Sequence, residues 1–84
     1  MPTKRRDIVR KVRHFGGWED ERRGKGGHRL LMRRDPGDPG RTLAYALQFH
    51  GRNVDFPDSV VRALRRKLKL TPEHDVSDAA WDEA

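Results

Sequence analysis

Thr42-Leu43-Ala44-Tyr45-Ala46-Leu47-Gln48-Phe49-His50 is the stretch on which the fold of this chain turns. Leu43, Tyr45, Leu47 and Phe49 alternate with Thr42, Ala44, Ala46, Gln48 and His50. Successive strand side chains point to opposite faces, so a period of two predicts a β-strand with one apolar face. Such a strand needs neighbours to pair with and an apolar layer to cover it.

The neighbours lie upstream. His28 to Arg33 predicts a second strand, and Trp18 to Arg23 a shorter polar one anchored by Trp18. Gly24-Lys25-Gly26-Gly27 between them is a turn. Arg34 to Gly40 holds two Asp-Pro-Gly units, which are expected to interrupt pairing before the Thr42 strand begins.

The covering layer comes from two helical patterns. In Lys4 to Phe15, the residues Ile8, Val9, Val12 and Phe15 fall on one helical face. Arg5, Arg6, Arg10, Lys11 and Arg13 cover the rest, Thr3 can cap the start, and Gly16-Gly17 supplies a stop. Pro57 and Asp58 open a second helix with the stripe Val60, Val61, Leu64, Leu68. Arg62, Arg65, Arg66, Lys67 and Lys69 lie on its other faces, and it ends near Leu70. The order α-β-β-β-α predicts an α+β two-layer sandwich with a three-stranded antiparallel sheet.

The chain has 84 residues, enough for one small core. Residues 1–70 make up the domain, followed by an acidic tail at 71–84. All 19 Lys and Arg and eight of the 13 acids lie within residues 1–70, which therefore carry +11, while the tail carries −5. Trp81 can anchor that tail to the basic body, although a short or frayed helical end is the plainer expectation. A body so basic suits a nucleic-acid partner. There is no cysteine, and the longest apolar run is Leu43 to Leu47. A disulfide, a cysteine-based zinc site and a transmembrane helix are therefore excluded, and a cytoplasmic location without membrane attachment is expected.

The residues with chemistry to offer cluster in Lys25-Gly26-Gly27-His28-Arg29-Leu30. A histidine exchanges protons near neutrality, paired glycines let a ligand approach the backbone, and flanking cations suit phosphate. That combination fits phosphodiester cleavage. Spacing alone favours a plain surface histidine after a glycine turn over a catalytic one. His50 is a candidate second proton carrier if the third strand pairs with the second. Strand alternation groups His28 with Leu30 and Met32, and Arg29 with Leu31 and Arg33; each set holds a hydrophobe, so either face can meet the helices. Four dispersed histidines lack the paired spacing of a metal site, so neither metal nor cofactor is expected. Trp18, Tyr45 and Phe49 can stack on bases but are expected in the core.

From about Arg6 to Leu70 the sequence resembles the HicA (YcfA-like) toxins of bacterial toxin–antitoxin modules. The resemblance is carried by Asp7-Ile8-Val9 in the opening helix, Gly17-Trp18 before the first strand, and the Gly26-Gly27-His28 run. Phe49-His50-Gly51, Phe56-Pro57 and the apolar positions Leu64 and Leu68 complete it. It implies a double-stranded-RNA-binding-domain-like fold, an mRNA interferase activity, and a HicB-like antitoxin partner that covers the active site. It also implies that His28 is catalytic; Lys25 and Arg29 are close enough to it in sequence to hold the RNA phosphate, and Gly26 and Gly27 let that phosphate approach the backbone. The sequence departs from the family in its proline-rich Arg34–Gly40 hairpin, in Gln48 where a proline is often seen, and in its longer acidic tail. A non-catalytic RNA-binding module of the same shape is the alternative, and a basic surface for an acidic protein a third reading.

Overall fold

A computed structural model describes residues 2–20, 28–48 and 54–84, with the backbone alone at His28 and Gln48. Along the chain the elements are β1 (Thr3–Lys4), α1 (Arg5–His14), β2 (Trp18–Asp20), β3 (His28–Asp35) and β4 (Asp38–Gln48). They continue with β5 (Asp55–Phe56), α2 (Asp58–Lys67), a 3-10 turn at Pro72–His74, and α3 (Asp78–Glu83). The expected three-stranded antiparallel sheet is present in the order β2-β3-β4. A second pairing, β1 with β5, was not expected: Thr3 lies opposite Phe56 and Lys4 opposite Asp55, which holds the start of α1 beside the start of α2.

Register explains which side of the sheet is covered. Leu31 pairs with Tyr45, Arg33 with Leu43, and Arg29 with Leu47, so these residues share one face. Leu31, Leu43 and Leu47 are buried in one cluster with Ile8, Val9 and Val12 of α1 and Val61, Leu64 and Leu68 on α2. The helices thus pack on the Arg29/Leu31/Arg33 side. The other face carries the rows Trp18–Met32–Ala44 and Asp20–Leu30–Ala46. Trp18 is 37% exposed there, not in the core as expected, because β2 is a three-residue edge strand and no described helix covers its outer side. Tyr45 packs partly buried against the core, and Phe49 lies outside the described residues.

Both helices end in the same way. At α1, Gly16 N–H donates to Arg13 O (3.0 Å) and Gly17 N–H to Val12 O (2.9 Å), with Gly16 at φ +85°. At α2, Lys69 N–H donates to Arg66 O (3.2 Å) and Leu70 N–H to Arg65 O (2.7 Å), with Lys69 at φ 55°. Each is a Schellman termination, in which a left-handed residue satisfies the last carbonyls. Glycine takes this conformation freely, whereas lysine does so at a cost of roughly 1–2 kcal/mol. The starts differ from expectation. Thr3 lies in β1 and caps nothing; Lys4 is the N-cap of α1 without a side-chain bond, and Pro57 is the N-cap of α2, one place before the helix.

The two Asp-Pro-Gly units do not break the sheet. Pro36-Gly37 forms the turn, β3 runs through Asp35, and β4 begins at Asp38. Asp35 pairs with Asp38 and Arg34 with Thr42, so Pro39, Gly40 and Arg41 have no partner across the ladder. A proline, having no N–H to donate, is tolerated in such an irregular edge segment.

Residues 71–84 are part of the core. Val76 and Trp81 are buried in the same cluster as Ile8 and Val12. The Trp81 ring stacks on Phe15 at 6.3 Å between centroids, with Lys11 Nζ 5.7 Å and Arg65 Cζ 5.3 Å from its centre. Lys11 Nζ donates to the carbonyls of Trp81 (2.7 Å), Asp82 (3.0 Å) and Ala84 (3.2 Å), placing a cation at the negative end of α3. Ser77 caps that helix by accepting from Ala80 N–H at 3.0 Å. The end of the chain is thus a short docked helix, not a frayed one.

Candidate nucleic-acid interface

His28 opens β3, where its backbone lies opposite Gln48. Arg29 follows on the helix-covered side, half-buried and opposite Leu47. Lys25, Gly26, Gly27 and His50 lie outside the described residues, as does the His28 side chain. The structure therefore locates the head of the middle strand, the point to which the glycine pair delivers the chain, and the backbone partner two residues before His50.

Two groups stand out among the described cations, a distinction that charge counting misses. The first group is structural. Arg5, expected on the solvent face of its helix, is buried and ion-paired with Glu19 of β2; their side chains are 4% and 8% exposed. Lys11, expected there too, is consumed by the carbonyls of α3. Arg65 donates to Leu70 O (3.0 Å) and pairs with Asp78 (3.0 Å). Arg33 reaches across the covered face of the sheet. Its Nη1 donates to Leu68 O and Lys69 O, each at 3.0 Å, and its Nε to Phe15 O at 3.4 Å. One guanidinium thus caps the end of α2 and touches the end of α1. Desolvation in this position lowers the pKa of Arg33, while neighbouring Asp35 opposes the shift.

Lys69 completes this group. Its ammonium grips both oxygens of buried Asp35, at 3.0 and 2.9 Å, and Gly37 N–H donates to the same carboxylate at 2.9 Å. The Lys69 hydrogen bonds, then that of Gly37, hold the Asp35 carboxyl below its ordinary range. This ion pair explains why a lysine occupies a left-handed position: that backbone turn aims the side chain at the hairpin. Of the five α2 cations read as phosphate contacts, Arg65 and Lys69 are therefore internal struts.

The second group faces solvent. Arg34, Arg41, Arg62, Arg66 and Lys67 are exposed, and among the described residues no carboxylate lies within ion-pair distance of them. Guanidinium and ammonium groups placed in this way attract polyanions. Arg34 and Arg41 flank a proline-rich turn, so the sequence alone does not single them out. His14, last in α1, is exposed and meets the Phe15 ring edge-on at 4.9 Å.

No protein-family model matches the chain, and neither curated proteins nor solved structures contain a significant match to it. Among the described residues no helix is long and apolar enough to cross a membrane.

Proposed function

We propose that the protein is a metal-independent endoribonuclease of the HicA toxin kind, acting on mRNA and neutralised by a HicB-like antitoxin. The observation that carries the proposal is that the backbone of His28, which follows Gly26-Gly27 in the sequence, heads the middle strand, in a chain whose main elements follow the order α-β-β-β-α with both long helices on one sheet face. That layering suits a double-stranded-RNA-binding-domain-like architecture.

The chemistry follows from RNA itself. The 2′-hydroxyl attacks the adjacent phosphate, the bond to the 5′-oxygen breaks, and a cyclic phosphate and a free 5′-hydroxyl result. His28 takes or supplies one proton, and His50 is the candidate for the other. Lys25 and Arg29 hold the phosphate, and Gly26-Gly27 lets it approach the backbone. General acid–base help of this type is worth roughly 10²–10⁴-fold. His28→Ala should therefore lower cleavage by about that factor, with a chelator present throughout and the melting temperature unchanged. Expression of the wild type alone should arrest growth, and expression of the variant should not. An alanine variant of full activity, or cleavage that a chelator abolishes, rejects the proposal.

The second reading is a non-catalytic RNA-binding module. It is favoured by the placement of Arg34, Arg41, Arg66 and Lys67 away from position 28, and it requires salt-sensitive binding without cleavage.

A further inference from the structure

We infer that the β3–β4 hairpin and the last turn of α2 form a docking surface for the phosphate backbone of a single-stranded polynucleotide, remote from position 28. The inference deepens the proposal of an RNA substrate: it rests on RNA binding but not on cleavage.

The surface is assembled by the internal struts. Lys69 on Asp35, and Arg33 on Leu68 O and Lys69 O, fasten the end of α2 to the hairpin. Arg66 and Lys67 therefore stand at the same end of the molecule as Arg34 and Arg41. Arg41 lies in the segment that has no partner across the ladder and is exposed. Among the described residues, none of these four cations has a carboxylate within ion-pair distance. Two acids of the hairpin are already engaged: Asp35 closely with Lys69 and Gly37 and only at longer range with the charge of Arg41, and Asp38 with Gly40 N–H at 3.2 Å. A polyanion therefore meets these cations without displacing a described ion pair.

Position matters as much as charge. Arg34 lies six residue steps along β3 from His28, which at about 3.3 Å per step is about 20 Å. A dinucleotide reaches one end of the sheet only, whereas a longer strand engages both. The expected substrate is accordingly a long polynucleotide, with the hairpin end contributing affinity.

The test uses the full chain and a fluorescent polyuridylate of about 20 nucleotides, a length beyond the 4–16 that a small single-strand-binding domain commonly covers. Binding is measured over a salt series for the wild type and for the combined variant Arg34→Ala, Arg41→Ala, Arg66→Ala, Lys67→Ala. Each phosphate that the variant no longer neutralises reduces the slope of log K against log salt by about 0.7, so removal of all four cations reduces it by about 3. Dinucleotide cleavage should be unchanged. Lys4→Ala with Arg6→Ala, which removes two cations that already face carboxylates (Asp55 at 3.7 Å and Asp7 at 3.9 Å), should change the slope less per charge. A melting curve establishes that the variants fold, and a second variant, Arg66→Glu with Lys67→Glu, should weaken binding further per residue changed. An unchanged slope, an equal effect per charge from the Lys4/Arg6 pair, or equally tight binding of polyglutamate overturns the inference. Hairpin-dependent binding with no His28-dependent cleavage supports this surface and rejects the endoribonuclease. Cleavage with hairpin-independent binding does the reverse.

Discussion

Trp81→Ala is the most exacting perturbation of this fold, because it asks whether the last residues belong to the core. Trp81 is 4% exposed, stacks on Phe15 and lies between the cations of Lys11 and Arg65. Truncating a buried Phe or Trp to Ala costs about 3–5 kcal/mol in a core that cannot collapse. Here α3 can undock as a unit, which caps the loss at whatever docking contributes, so the lower end, about 3 kcal/mol, is expected. A chain of this length has about 4–13 kcal/mol in total, so the variant forfeits a large share. The melting temperature should fall by about 12–24 °C. Trp81→Phe keeps a ring against Phe15 and should lose less than half as much. Urea unfolding followed by circular dichroism gives both numbers. A loss below about 1 kcal/mol for Trp81→Ala would show that α3 does not contribute to the core, and the account of residues 71–84 would fall.

Two further predictions concern the sheet and its hairpin. A Cβ added at Gly17 would stand 2.5 Å from Val12 Cγ1 and 2.6 Å from Met32 O, so Gly17→Ala must displace the start of β2; it should cost about 1–3 kcal/mol in thermal unfolding, and an unchanged melting curve would refute the close approach. Asp35 has a folded-state pKa below its ordinary 3.8, so its contribution to stability is complete above that value and is lost as the pH falls through the lowered one. Asp35→Asn should therefore be less stable than wild type at neutral pH, and its stability should fall less steeply in acid; parallel acid limbs in denaturant titrations would contradict this.

Elements whose period is set by local burial were legible in the sequence. The alternation of residues 42–47 and the stripes Ile8/Val9/Val12 and Val61/Leu64/Leu68 each became the buried side of the expected element. What escaped reading depends on partners distant along the chain. Arg5, Lys11, Arg33 and Arg65 look like solvated charges until Glu19, the carbonyls of α3, the ends of both helices and Asp78 are brought to them. Proline and glycine at 39 and 40 suggest a break, yet an edge strand accommodates them by leaving three residues without a partner. For the site, the sequence points to His28 and the structure places its backbone at the head of the middle strand. Which of the many cations face solvent and which brace the fold became readable only from the packing.

The contact between Lys11 and the carbonyls of Trp81, Asp82 and Ala84 bears on how the protein is made. A ribosome releases α1 some seventy residues before the helix that shields it. Until Trp81 has been polymerised, the nascent α1 lacks part of its cover, and the Lys11 ammonium lacks the carbonyls it binds. Acquisition of the native state must therefore await synthesis of residues 76–84, and a message truncated shortly before codon 81 would yield a polypeptide that chaperones and proteases treat as unfinished.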